Sequence, residues 1–94
     1  MYTASFQVIP IKTEDLESTI DEVIRLIRNS GLKYEINAHS TVVEGELEDL
    51  LNLQSEIIKV CENMCERCVF TFQIDIKRGG VKIDDKVRKY RMES

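Results

Sequence analysis

Residues 30–46 contain the pattern that decides the fold. They read Ser-Gly-Leu-Lys-Tyr-Glu-Ile-Asn-Ala-His-Ser-Thr-Val-Val-Glu-Gly-Glu. Gly31 suits the position just after a helix, because glycine accepts the left-handed conformation that ends many helices. Short strands are predicted over residues 34–37 and 40–44, and the intervening Asn37-Ala38-His39 suits a tight connection. The segment therefore predicts a β-hairpin that is preceded by one helix and followed, after Gly45, by another.

A strand and a helix are predicted before this hairpin. Residues 3–9 alternate loosely between apolar and polar side chains, which is typical of a half-buried strand. Pro10 is expected to end the strand, because proline cannot donate to a ladder. Thr13-Glu14-Asp15 is typical of a helix start, with a capping hydroxyl and acids in the first turn. The apolar residues that share one face of this helix are Leu16, Ile20, Val23, Ile24 and Ile27.

A second helix, a strand and a short third helix are predicted after the hairpin. The apolar face of the second helix is expected to comprise Leu47, Leu50, Leu51, Ile57, Ile58, Cys61 and either Met64 or Cys65. Residues 68–76 alternate as a strand does, and Gly79-Gly80 indicates a turn. Residues 84–90 form a short helix with acids first and bases last, as the helix dipole prefers.

The order β-α-β-β-α-β with a tail helix predicts one ferredoxin-like α+β domain over residues 1–94. Right-handed crossovers place both long helices on one face of a four-stranded antiparallel sheet. We expect the other face to be uncovered and to carry Ser5, Gln7, Thr71 and Gln73. A sheet face of this mixed character most often meets a second subunit or a ligand.

Composition and charge restrict the class of protein. The chain has 94 residues, of which 43% are hydrophobic and 32% charged, as in ordinary soluble domains. No apolar run approaches the roughly 20 residues of a membrane-spanning helix, and the N-terminus has no secretory signal pattern, so we expect a cytoplasmic protein without a membrane partner. The net charge of −4 disfavours nucleic acid as a partner. So short a chain is marginally stable alone, which favours self-association.

The three cysteines Cys61, Cys65 and Cys68 have the spacing that radical-SAM enzymes use to hold an iron–sulfur cluster. Their context differs, because the first two lie on a predicted helix face and the third opens a strand. We favour buried or half-buried packing residues, with a zinc or iron–sulfur site and a redox-active pair as alternatives. We expect no metal and no cofactor.

The other side chains capable of acid–base or binding chemistry are His39, Glu44 and Asp75. His39 lies in the predicted hairpin, and no serine or cysteine is placed to form a nucleophilic relay with it. Glu44 and Asp75 fall late in strands, where two carboxylates perform acid–base chemistry, neutralise a cationic ligand or pair with basic side chains. We favour surface pairing for them, assign no catalytic residue and expect a protein that is not an enzyme.

Several segments together resemble the small prokaryotic thiamine-binding proteins of the YkoF-like group. The most specific part is Lys33-Tyr34-Glu35 followed by Thr41-Val42-Val43-Glu44-Gly45. The matching segments keep the family's order along the chain and lie at residues 4–10, 30–35, 40–46, 67–69, 73–77 and 79–91. One departure stands out: many members have Pro-Met-Gly before the Thr-x-x-Glu-Gly block, where this chain has Ala38-His39-Ser40.

The resemblance implies a ferredoxin-like subunit whose sheets join edge to edge in dimers. It further implies a homotetramer, a dimer of dimers built by stacking sheets. The implied function is non-catalytic binding of a small molecule, either thiamine or its hydroxymethylpyrimidine part. The alternative is a structural or regulatory module that self-associates without a small-molecule ligand.

The candidate site residues suit the two parts of thiamine. A carboxylate such as Glu44 or Asp75 offsets the thiazolium charge, and an aromatic ring stacks on the cation. Hydroxyls and side-chain amides bond the edge of the pyrimidine. The predicted ligand-binding residues are Ser5, Gln7, Tyr34, Asn37, His39, Thr41, Glu44, Phe72, Gln73 and Asp75.

Overall fold

Seven elements follow one another in the predicted order in the computed structural model, which describes residues 1–91. They are β1 (Tyr2–Lys12), α1 (Leu16–Asn29), β2 (Lys33–Ile36), β3 (Thr41–Gly45), α2 (Leu47–Met64), β4 (Arg67–Asp75) and α3 (Ile83–Arg91). Apart from the ends of β1, most boundaries lie within one or two residues of the predicted ones.

The four strands form one antiparallel sheet in the order β2-β3-β1-β4. Ala4 of β1 lies opposite Val43 on one side and Ile74 on the other. Ala4 and Val43 belong to the core that α1 and α2 complete, so we call their side of the sheet the helix face. Side chains alternate along a strand, so Ser5 and its neighbours Val42 and Gln73 lie on the opposite, open face. The arrangement confirms the predicted ferredoxin-like sandwich.

β1 is longer than predicted, and Pro10 does not end it. Pro10 pairs with Cys68 of β4, and the register shifts between Pro10 and Lys12. β3 pairs with β1 only as far as Phe6, so the rest of β1 has a neighbour on one side alone. Proline is tolerated on such an edge because no ladder donor is needed there.

The buried face and the cap of α1 differ from the prediction. Asp15 is the N-cap and its carboxylate accepts a 2.9 Å hydrogen bond from the backbone N–H of Ser18, whereas the Thr13 hydroxyl donates to the Met64 carbonyl. The buried side chains are Thr19, Val23 and Ile27, and Leu16 is 56% exposed. Leu16 stands at the first position of the helix, outside the turns that cover the sheet.

α2 buries a narrower stripe than the one predicted. Its buried residues are Leu50, Leu53, Ile57 and Cys61. The prediction omitted Leu53 and was wrong at three positions that are 41–44% exposed, namely Leu47, Leu51 and Ile58. Apolar residues surround the axis in the first half of this helix, so their spacing alone does not select the face that is buried.

α3 lies across one end of the open face, which we predicted to be uncovered. The backbone N–H of Ile83 donates to Glu44 at 2.7 Å, and the Lys86 ammonium lies 2.6 Å from the Asp75 carboxylate. Glu44 and Asp75 lie on either side of Thr3 in the sheet. The prediction was wrong here because these contacts join residues far apart in sequence, which the local pattern of α3 does not reveal.

The other end of the open face stays accessible. Ile9 and its cross-strand neighbour Val69 are 44% and 43% exposed.

The turn that leads from β4 toward α3 is confirmed, since Gly79 and Gly80 have φ values of +87° and +91°, which favour glycine. None of the described helices combines the length and the apolar character that crossing a membrane requires.

Candidate ligand-binding sites

The structure divides the predicted site residues among three places. One group lies at a groove between α1 and the β2–β3 hairpin: Asn37, His39 and Thr41. Gln7 also borders this groove, although the alternation of β1 puts its side chain on the open face with Ser5, as predicted. A second group lies on the open face near α3: Ser5, Glu44, Gln73 and Asp75. The third group, Tyr34 and Phe72, packs against the core of the helix face. The predicted residues therefore do not form one site within one chain.

The hairpin groove has a volume of about 210 Å³. Its apolar wall is made of branched side chains of α1 together with residues of β1 and β2, namely Phe6, Val8, Ile20, Val23, Ile24, Ile27 and Ile36. The remaining lining residues are Gln7, Asn37, Ala38, His39, Ser40 and Thr41. The groove thus combines an apolar interior with a short polar margin, the usual character of a small-molecule site.

The groove exists because β3 is shorter than β1. β3 begins at Thr41, opposite Phe6, so Gln7 and Val8 continue without a β3 neighbour. The loop of residues 37–40 closes this gap, and the backbone N–H of Asn37 donates to the Ser40 carbonyl at 2.9 Å. His39 at the tip is exposed, while Thr41 is only 6% exposed.

The second cavity, which we call the open-face pocket, has a volume of about 310 Å³. It lies between the sheet and α3 and is lined by Thr3, Ala4, Ser5, Val42, Gln73, Ile74, Asp75 and Lys86. Thr3 is 3% exposed, and its buried hydroxyl has no hydrogen-bond partner among residues 1–91. A buried polar group without a partner is uncommon and needs a physical explanation.

Glu44 lines neither cavity, although it belongs to the block most specific to the family resemblance. Its carboxylate accepts the hydrogen bond from Ile83 at the first residue of α3. The other predicted carboxylate, Asp75, is paired with Lys86. Both acids thus hold α3 against the sheet. Asp75 forms the pairing with a basic side chain that we favoured, whereas Glu44 accepts from a backbone N–H instead.

The two aromatic rings predicted to stack on a ligand are packed against the protein itself. The Phe72 ring meets the Phe6 ring edge to face, with centroids 5.1 Å apart. Tyr34 lies opposite Val43, which places it on the helix face beside the core. Neither Tyr34 nor Phe72 lines the hairpin groove or the open-face pocket.

The three cysteines lie together beside α2 and β4, and Cys61 and Cys65 are buried. Burial raises the pKa of the Cys61 thiol to about 12 and also raises the pKa of the Cys68 thiol. The Cys65 thiol lies 3.7 Å from the Thr19 hydroxyl, to which it donates. Within residues 1–91, no group of three His, Cys, Asp or Glu side chains is arranged to hold a metal ion. Raised thiol pKa values suit packing residues better than nucleophiles or metal ligands, which act as thiolates.

Two polar residues of the open-face pocket, Thr3 and Lys86, were absent from the prediction. Thr3 shares the alternation of Ser5 and Gln7, so the strand pattern already contained the signal for it. Lys86 had no such signal, because its place depends on where α3 packs. The isoleucines of α1 that line the groove were predicted only as core.

Comparison with known proteins identifies relatives along nearly the whole chain. A sequence profile of thiamine-binding proteins matches residues 4–91. A UPF0045 protein of Clostridium perfringens is 36% identical over 89 residues, which cover 93% of this chain and 94% of that protein. Among solved structures, a Thermotoga maritima protein assigned to thiamine biosynthesis or salvage has a TM-score of 0.87 and 39% identity, covering 96% and 98% of the two chains. A Bacillus cereus domain of unknown function, DUF77, has a TM-score of 0.89 and 37% identity, covering 98% and 91%.

Proposed function

The chain belongs to the thiamine-binding protein family, and we propose that it binds thiamine, or the hydroxymethylpyrimidine part of thiamine, in the hairpin groove without converting it. The single observation that carries this placement is the groove itself, with branched apolar walls and a margin of hydroxyl and amide groups. Because the loop of residues 37–40 forms that margin, the departure at Ala38-His39-Ser40 falls directly on the proposed site.

The chemistry of an aminopyrimidine matches this groove. The ring is flat and aromatic, so its faces suit the isoleucines of α1, while its amino group and ring nitrogens need hydrogen-bond partners. Asn37, Ser40 and Thr41 carry amide and hydroxyl groups that both donate and accept. A volume of about 210 Å³ suits a single substituted ring better than the whole of thiamine. We therefore place the pyrimidine inside and the thiazolium at the mouth.

The charges around the groove favour the unphosphorylated ligand. Among its described lining residues there is no lysine or arginine, so a phosphorylated thiamine would find no cationic side chain to bind it. The thiazolium cation at the mouth faces solvent and a protein whose net charge is −4. None of the described residues that line the groove is an Asp or Glu that would neutralise the cation, so we expect binding to depend weakly on this charge.

Binding without catalysis is part of the proposal. Acid–base or nucleophilic chemistry needs positioned titratable groups. The described residues that line the groove include one histidine, His39, which is exposed at the loop tip, and they include no Asp, Glu, Cys, Lys or Tyr. We also propose a cytoplasmic location, since free and buried cysteines are typical of a reducing compartment.

Self-association is a second element of the proposal. β4 is an edge strand of the sheet, and the open face beside it exposes Ile9 and Val69. Edge pairing and apolar contact at this end would bury surface that one small chain leaves in water. We propose a homo-oligomer that uses these surfaces. Sedimentation equilibrium of the wild type and of Val69→Lys tests this element, which a monomeric wild type would contradict.

Calorimetric titration tests the proposed ligand. The wild type and the variant Thr41→Val are each titrated with thiamine, hydroxymethylpyrimidine and thiamine diphosphate. The substitution keeps the shape of a buried lining residue but removes its hydroxyl. We expect similar affinities for the first two ligands, weaker binding of the diphosphate, and about a tenfold loss in Thr41→Val. Thr71→Val, an exposed open-face change outside both cavities, is the matched control. Absence of binding to the wild type would favour the alternative, a purely self-associating module.

A further inference from the structure

The open-face pocket contains one group that the fold itself does not explain. Thr3 is 3% exposed, lines this pocket, and its hydroxyl has no hydrogen-bond partner among the described residues. Leaving a buried hydroxyl unpartnered lowers stability, because nothing offsets the cost of removing it from water. Valine has the same shape and would avoid this cost, so the hydroxyl is better explained by a ligand than by packing.

We propose that the open-face pocket binds a small zwitterion of the α-amino acid class. The proposal concerns the sheet face opposite the hairpin groove and does not depend on thiamine binding. It rests on three features of the pocket: one carboxylate beside one ammonium, a set of neutral polar groups on the floor, and a volume suited to a small molecule.

The charged pair matches the two charges of an amino acid. Lys86 lies 2.6 Å from Oδ2 of Asp75, and the two side chains remain 46% and 40% exposed. The Asp75 carboxylate has a second oxygen that can accept from a ligand ammonium, while the Lys86 ammonium has three donors and uses one on Asp75. A ligand carrying both charges therefore joins an existing ion pair without leaving either charge unbalanced.

The floor supplies the remaining polar contacts. Ser5 lies between Val42 and Gln73 across the sheet, and Thr3 lies next to Asp75. The pocket thus offers two hydroxyls and one side-chain amide, with Val42 as an apolar surface. Its volume of about 310 Å³ is near the lower limit of ligand pockets, roughly 300 Å³, which suits a single amino acid.

Other ligand classes fit less well. A phosphate would meet one lysine but also the adjacent Asp75 carboxylate, which repels it. A metal cation would meet the Lys86 ammonium, and no described group of side chains is arranged to hold one. An aromatic heterocycle would find Val42 but no ring or branched wall comparable to that of the hairpin groove.

Occupancy of this pocket has a consequence for α3. Asp75 belongs to β4 and Lys86 to α3, so a ligand that contacts both side chains connects the sheet to the helix. Bound ligand should therefore slow amide hydrogen exchange in α3. Water in the pocket would satisfy Thr3 but would add no charge contact to Lys86.

The test measures thermal shift and calorimetric binding with each of the twenty L-α-amino acids, used singly. We expect at least one to raise the melting temperature saturably, while its decarboxylated amine and its deaminated acid do not. Thr3→Val should reduce the affinity about tenfold, and Lys86→Gln should do so as well. Thr71→Val, outside the pocket, should bind as the wild type does, and Thr3→Val should retain its thiamine affinity.

Two results would overturn the proposal. The first is that no amino acid stabilises the protein. The second is that binding persists unchanged in Thr3→Val. Failure of thiamine binding would leave both readouts interpretable, because they concern the opposite face of the sheet.

Discussion

The Glu44 carboxylate accepts a 2.7 Å hydrogen bond from the backbone N–H of Ile83, 39 residues later in the chain. This contact joins the middle of the sheet to the first residue of α3, and the Asp75–Lys86 pair adds a second connection one helical turn further on. α3 is thereby held on the open face mainly by polar contacts, with Ile83 as its buried side chain.

Removal of the Glu44 carboxylate should release α3. In Glu44→Ala the Ile83 N–H loses its acceptor, so amide exchange in residues 83–91 should accelerate more than tenfold while exchange in β1 stays unchanged. Glu44→Gln retains an oxygen acceptor and should restore most of the protection. Exchange mass spectrometry measures both. Equal protection of α3 in Glu44→Ala and the wild type would refute this role.

Acid should weaken the same attachment through Asp84. The Lys33 ammonium, 2.8 Å away, holds the pKa of Asp84 below its ordinary value of 3.8. A carboxyl whose pKa is lower in the folded state stabilises the fold above the unfolded value, and this contribution disappears as pH falls through the folded value.

The melting temperature of Asp84→Asn should therefore lie below that of the wild type at neutral pH. The difference should narrow as the pH falls below 3.8. Asp49→Asn, a change of an exposed acid on α2, serves as the matched control. A difference that stays constant down to about pH 2 would argue against the ion pair.

The stripe that α2 buries makes a direct prediction about stability. Leu50 is fully buried, whereas its neighbour Leu51 is 43% exposed. Leu50→Ala should lower the free energy of unfolding by about 2–5 kcal/mol, because it removes core contacts and leaves a cavity. Leu51→Ala should lower it by less than about 1 kcal/mol. Urea unfolding measures the loss of free energy of unfolding in each variant. Equal losses would mean that α2 is rotated about its axis, so that both leucines are buried to the same extent.

The Cys61 thiol should react slowly. Burial raises its pKa to about 12 from an ordinary value of 9.0, so near pH 8 its thiolate fraction is about a thousandfold lower than that of an unperturbed thiol. The rate at which iodoacetamide alkylates Cys61 should be correspondingly low, and mass spectrometry of the peptides measures it. A cysteine introduced by Ser55→Cys on the exposed side of α2 provides the reference. Comparable labelling of both positions would contradict the burial of Cys61.

The local parts of this fold were predictable from sequence, whereas the contacts between distant segments were not. Alternation placed Ser5 and Gln73 on one face, and the loop of residues 37–39 between two short strands indicated the hairpin. The placement of α3 had no local signal, because it depends on Glu44 and Asp75, which are distant in sequence. The stripe of α2 was ambiguous because leucines surround its first turns.

For the candidate site, too, local features were predictable from sequence and contacts between distant segments were not. The polar residues of the loop and strands were predicted individually, but their separation onto two faces of the sheet emerges only from the three-dimensional arrangement. Thr41 reaches the hairpin groove because β3 begins opposite Phe6, which is a property of strand register. The assignment of Tyr34 and Phe72 to a ligand has no support in the geometry, since both rings pack beside the core.

A nuclear magnetic resonance titration of ¹⁵N-labelled protein with thiamine tests the central claim most directly, because it reports both binding and its location. We predict saturable shifts of the backbone amides in residues 36–41 and in the turns of α1 around Ile20 and Ile24. Amides of Thr3, Ser5 and Gln73 should move little. Shifts centred on those three residues would contradict the proposed site, and a spectrum that does not change would contradict thiamine binding itself.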